Sequence, residues 1–271
     1  MNQKYSFLFR LISFSLLSFN LNCYFNPIIN SILAPPESKD NNSFLGLLGF
    51  SGQSLLITGQ IREPNGVAGV GLVLVPGKSF APQSKSTNSG YVTDNGGRFY
   101  IPFQMGSIPF TVNKNGSYFF EFSLEVLGPQ NIGFTTYGMP PGMEILGLGT
   151  VGPNEQGNFF ELVQAYFING SQLSLHQTNF GITPSTIYLE FNESPATVET
   201  DIITWMQNYV VFTPAPIAGY TSVTVSGNKI IMSGCEQLTS NTQHTIDFTS
   251  NIKSASGKSL SPTRYSFYFS L

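Results

Sequence analysis

The chain has 271 residues, of which 41% are hydrophobic, including 24 Phe and 12 Tyr, and only 10% are charged. A charged fraction this far below the roughly 25% of ordinary soluble domains leaves Ser, Thr, Asn, Gln and Gly to cover the surface, as in many extracytoplasmic β proteins. The formal net charge of −3 supplies no basic stripe to follow a phosphate backbone and argues against nucleic acid as a partner.

The first elements are a targeting segment and a linker. Residues 1–22 carry Lys4 and Arg10 without an acid, then the apolar run LISFSLLSF from Leu11 to Phe19. That run is too short to cross about 30 Å of hydrocarbon as a helix and suits the hydrophobic part of an export signal. Cys23 follows four residues later. A cysteine in this place resembles the lipobox of bacterial lipoproteins, whose sulfur is diacylated and becomes the first residue of the mature chain. Asn20 and Asn22 stand where the general pattern has Leu and a small residue, which is closer to the relaxed lipoboxes of spirochaetal lipoproteins. The alternative for Cys23 is a free thiol or a disulfide with Cys235, the other cysteine. Residues 23–54 mix Pro, Asn, Ser and charges and read as a lipidated start and linker, reaching on the order of 100 Å if fully extended. FLGLLGF (Phe44 to Phe50) interrupts it with an apolar patch, read as a first strand or plug, or as a contact for a membrane or partner.

From residue 55 to 126 the period is two, the mark of strands. Asn95-Gly96 and Asn115-Gly116 each stand between alternating runs and predict hairpins with type I′ turns. The segments ITGQIREPNGVAGVGLVLVPG (Ile57 to Gly77), TDNGGRFYIPF (Thr93 to Phe103) and PFTVNKNGSYF, in this order, resemble the carboxypeptidase regulatory-like, or transthyretin-like, β-sandwich. Asp94, Gly97 and Phe99 fill that family's Asp, Gly and Phe places. The resemblance implies an accessory module without peptidase activity; Asp94 could be read as a metal ligand, but a turn-capping Asx role is the plainer reading.

Residues 127–180 are rich in Gly and Pro and read as a connection, too long to be simple. It includes a third Asn-Gly hairpin at Asn169-Gly170 that either extends the first sandwich or bridges to the next unit. Residues 181–271 then give an alternating strand in STIYLEFNESPA, a hairpin across Gly227-Asn228, a strand from Gln243 to Phe248, and a closing aromatic strand. Leu238, Thr242, Thr245, Gly257, Leu260 and Phe267 resemble the later half of the bacterial immunoglobulin-like domain of surface-layer proteins, although Gln243-His244 departs from its usual Thr-Tyr. The fold class expected is therefore all-β: two tandem antiparallel β-sandwiches, transthyretin-like and then Ig-like.

Chemistry-bearing residues are sparse. His176 falls on the Ser174 face of its strand, toward solvent, and His244 on the inner face with Ile246 and Phe248. No zinc pair, serine elbow or phosphate loop is present in the sequence. Glu190, Glu193, Glu199 and Asp201 could gather a Ca²⁺, but a solvated turn is the plainer reading. Cys235 and Trp205 read as core residues. The sequence thus names no catalytic residue, cofactor or metal site, and one modified residue, Cys23. The expected protein is a non-catalytic lipid-anchored lipoprotein of the cell envelope, located at the outer membrane, that serves as an adhesion, ligand-binding or structural module. Its expected partners are the lipid membrane, through acylated Cys23, and a protein or extracellular-matrix ligand. Alternatives are an outer-membrane β-barrel, suggested by the alternating aromatics of RYSFYFSL, and an envelope enzyme acting on peptides or glycans. In a eukaryotic secreted protein, Asn115 and Asn169 would be glycosylation acceptors.

Overall fold

The computed structural model describes residues 55–77, 90–198 and 201–270. Cys23, the Phe44 to Phe50 patch and Glu199 lie outside the described residues.

The first sandwich is built from β1 (Leu56–Arg62), β2 (Val73–Pro76), β3 (Tyr91–Val92), β4 (Arg98–Pro102), β5 (Gly106–Lys114), β6 (Ser117–Gly128), β7 (Asn131–Tyr137) and β8 (Glu144–Val151). One layer is a five-stranded sheet in the order β3-β2-β5-β6-β7, and the other a three-stranded sheet in the order β4-β1-β8. Alternation puts Phe120, Phe122, Leu124 and Val126 of β6 on one face, where they meet Ile57 and Ile61 of β1 and Phe99 of β4 in a single apolar core. Phe110 and Phe122 stack with ring centroids 5.3 Å apart at its centre.

Two expectations change here. Asn115-Gly116 does make a two-residue turn, with positive φ at both positions and Lys114 opposite Ser117. Asn95-Gly96 does not make a hairpin, because β3 pairs with β2 in one sheet and β4 with β1 in the other. The turn carries the chain between layers instead. Of its residues only Gly97 has positive φ (+75), and a Cβ there would lie 2.6 Å from the Ile61 carbonyl oxygen, so the glycine answers a close crossing. In the stretch read as a connection, residues 131–137 and 144–151 form β7 and β8, one in each layer. Backbone pairing does not need the side-chain alternation that made the other strands readable.

The second sandwich follows a 3-10 turn at Pro153–Glu155. It contains β9 (Leu162–Asn169), β10 (Ser171–Ser174), β11 (Asn179–Phe180), β12 (Thr186–Phe191), the helix α1 (Ile202–Tyr209), β13 (Val210–Thr213), β14 (Ser222–Ser226), β15 (Lys229–Ser233), β16 (Thr242–Phe248) and β17 (Thr263–Phe269). The sheets run β10-β9-β12-β15-β14 and β11-β17-β16-β13, antiparallel except for β11 on β17. The Asn169-Gly170 hairpin therefore belongs to this sandwich. Gly227 opens the next hairpin with φ +59, as a II′ turn requires at its first central residue. Tyr265, Phe267 and Phe269 point into the core, so the closing aromatics serve a sandwich; the described strands make four separate sheets and no closed barrel. Helix α1 is an element that periodicity of two could not suggest. Asp201 caps it, accepting from the Ile203 N–H at 3.2 Å, and Trp205 anchors it in the core, stacked on Tyr209.

Candidate functional site: the polar junction

β1 is buried on both faces. Ile57 and Ile61 enter the first core, while Thr58, Gln60 and Arg62 face the other way and are only 2, 2 and 1% exposed. What covers them is the second sandwich, which belongs with the first to one compact unit, Ser54–Leu271. The outer face of a three-stranded sheet has thus become an interior, with polar side chains already placed on it.

A buried polar group costs free energy unless it is paired, and a buried charge more so. The junction meets this with bonds inside the first sandwich and bonds that cross to the second. Arg62 donates from Nη1 to the Gly66 carbonyl at 2.5 Å and to the Tyr265 hydroxyl at 3.0 Å, from Nη2 to the Leu162 carbonyl, and from Nε to Gln60 Oε1 at 3.1 Å. Gly66 lets this turn approach, since a Cβ there would sit 2.7 Å from the Cβ of His176. Arg98 donates to Glu161 Oε1 from Nε at 2.8 Å and from Nη2 at 2.6 Å, and its guanidinium lies 3.8 Å from the Phe159 ring centre. Two further bonds join the same seam: the Ala68 N–H donates to the Val163 carbonyl at 2.8 Å, and the Ser174 hydroxyl to the Asn65 carbonyl at 2.5 Å. Asn192 holds Glu161 in place by accepting its backbone N–H at 2.9 Å.

The electrostatics follow from burial. Burial pushes the Glu161 carboxyl up, and Arg98, with help from Ser261 and Arg62, pulls it back toward ionisation. Its Oε2 makes no direct hydrogen bond among the described residues. His176 is a correction to the expectation of a solvent-facing residue. β10 ends at Ser174, so the alternation stops two residues short, and His176 packs against Tyr265 at 5% exposure. Burial first, and Arg62 second, bring its pKa down to about 4.

The other candidates are dispersed. Asp94 Oδ1 accepts from the N–H groups of Gly96 at 2.8 Å and Arg98 at 2.9 Å, which is a turn-capping role. His244 is buried on the inner face, with Nε2 2.9 Å from the Thr239 carbonyl oxygen and its ring stacked on Phe267. Glu190 pairs with Lys229 and Glu193 with Lys258, while Asp201 caps α1. Among the described residues no group of three or more His, Cys, Asp or Glu side chains is placed to hold a metal ion. Cys235 is a buried free thiol whose Sγ lies 3.4 Å from the Ala218 carbonyl oxygen. Sequence reasoning missed the junction, although Thr58, Gln60 and Arg62 alternating with Ile57, Gly59 and Ile61 could have been asked what a strand does with an arginine so close to a core.

Residues 168–270 match the family model of the bacterial Ig-like domain. A search of curated proteins finds no match to the chain. The matched residues cover β10 to β17, and such a domain fits a surface or structural module. Among the described residues no helix is long and apolar enough to cross a membrane, which says nothing of strands.

Proposed function

We propose that this protein is a lipid-anchored envelope lipoprotein of the spirochaetal type, held to the outer membrane through a diacylated Cys23, and that its two sandwiches act as one non-catalytic adhesion or structural module. The observation that carries the reading is the junction between the bacterial Ig-like sandwich and the sandwich before it. Arg62, Arg98 and Glu161 are spent on holding two bodies in one orientation, as a module that presents its loops to a partner requires. The first sandwich, on its Asp94, Gly97 and Phe99 turn, is proposed to be a carboxypeptidase regulatory-like domain in the accessory role. Two acyl chains matter to the anchor, since one gives only marginal membrane residence.

The test is the intact mass of the chain extracted from its own membranes, beside a Cys23→Ala variant. The expected result is a diacylglyceryl-modified chain beginning at Cys23 and a variant that leaves the membrane fraction or stays unprocessed. A mature chain that begins elsewhere and carries no lipid overturns the anchor.

A further inference from the structure

The junction is not filled evenly. In the pairing of β1 with β8, Thr58 stands opposite Gly149 and Gln60 opposite Leu146, so these positions share the face that the second sandwich covers. Gly149 puts no side chain there, and a Cβ built on it meets no atom within 4 Å. A cavity of about 320 Å³ results, with Thr58 and Arg98 at its base and Phe159, Ser261 and Pro262 across from them. That volume is near the lower end of the roughly 300–1,000 Å³ of ligand pockets, enough for one ring or a short chain.

The lining is chemically one-sided. A guanidinium has five N–H donors. Arg98 uses Nε and one N–H of Nη2 on Glu161 and one N–H of Nη1 on the Thr58 hydroxyl, at 3.3 Å. One N–H on each terminal nitrogen remains, and Nη2 runs beside Gly147, which lines the same cavity. Thr58, having accepted from Arg98, keeps its own proton to donate. Among the described residues Arg98 is the one charged side chain of the lining, and its ion partner Glu161 lies outside that lining, so the cavity presents N–H donors and no carboxylate. Most of the remaining wall is apolar, led by the Phe159 ring and Pro262.

We propose that this cavity binds a small apolar molecule bearing a carboxylate, its head on the free N–H groups of Arg98 and the Thr58 hydroxyl and its body against Phe159. The site is independent of the anchoring proposed above, because it uses only residues of the two sandwiches. Charge-assisted donors to a carboxylate are stronger than donors to a neutral carbonyl, so the head group is the discriminating feature.

The experiment titrates the isotopically labelled full chain with benzoate and, separately, with its neutral counterpart benzamide, reading backbone amide shifts. Saturable shifts at Gly147, Gly149 and Thr150 are expected with benzoate, with benzamide about tenfold weaker. Gly149→Phe places a ring in the cavity at a residue with an ordinary φ and should weaken benzoate by at least about tenfold; Gly149→Leu is the smaller substitution should the first not fold. No saturable benzoate binding, or shifts confined to residues away from the cavity, overturns the site. Equal binding of benzamide overturns the carboxylate head, and undiminished binding by a folded Gly149 variant overturns the location.

Discussion

The core of the first sandwich and the junction beside it lie on opposite faces of one three-stranded sheet, both shielded from water, and they are built from opposite chemistries. The core face of β1 and β4 presents Ile57, Ile61 and Phe99 to a cluster of phenylalanines. The junction face presents Thr58, Gln60, Arg62 and Arg98 to carbonyls, a hydroxyl and one carboxylate. Apolar burial is non-directional and roughly proportional to area, so the core stabilises the sandwich without dictating its angle to anything else. Buried charges gain little net stability over apolar residues of the same size, yet they bind only in one geometry. The difference teaches that the core holds the fold while the junction sets an orientation.

The largest effect belongs to the core. Phe122→Ala, which removes a buried ring stacked on Phe110, is expected to cost about 3–5 kcal/mol, read from guanidinium unfolding. Next comes Glu161→Gln, which strands the Arg98 charge and should cost about 3 kcal/mol in the same assay. The sharper form of this test replaces both partners, with Arg98→Met and Glu161→Leu together. Stability is expected to return to within about 1 kcal/mol of the parent, while small-angle scattering or residual dipolar couplings report a wider spread of inter-sandwich angles. A double variant as unstable as the single one, with its orientation unchanged, would break the comparison.

A smaller effect is set by pH. His176 is held neutral in the folded chain at a pKa of about 4, against an ordinary 6.5, so the unfolded chain takes up the proton first as pH falls. Stability from this group is complete above about pH 6.5 and is lost between there and about 4, amounting to about 2–3 kcal/mol. Urea unfolding across that window should therefore show a slope that His176→Phe reduces. The smallest effect belongs to the surface: Lys258→Ala opens a half-exposed pair with Glu193 at 2.7 Å and should change stability by under about 1 kcal/mol. A loss comparable to that of Glu161→Gln would remove the distinction between fully buried and half-exposed pairs.

How much of this was legible in the sequence depends on which kind of signal a residue sends. Alternation announced β6, β16 and β17, and their buried faces are the ones it implied, including His244 beside Ile246 and Phe248. Asn115-Gly116 announced a turn through local φ preferences alone. The same dipeptide at Asn95-Gly96 was ambiguous, because a turn between layers and a turn within a sheet use the same residues and differ only in what pairs with the flanking strands. β7 and β8 carry glycines where alternation would need side chains, and α1 is a single short helix whose cap, Asp201, read equally well as part of an acidic turn.

The sequence by itself determined an all-β chain, the Ig-like character of its later part and the inward faces of its long strands, because these follow from short-range periodicity and turn chemistry. Only the tertiary structure decided that Arg62, Arg98, Glu161 and His176 meet. They are brought together from β1, β4 and the start and end of the β9–β10 hairpin, and a strand with one polar face reads the same whether that face meets water or another sandwich.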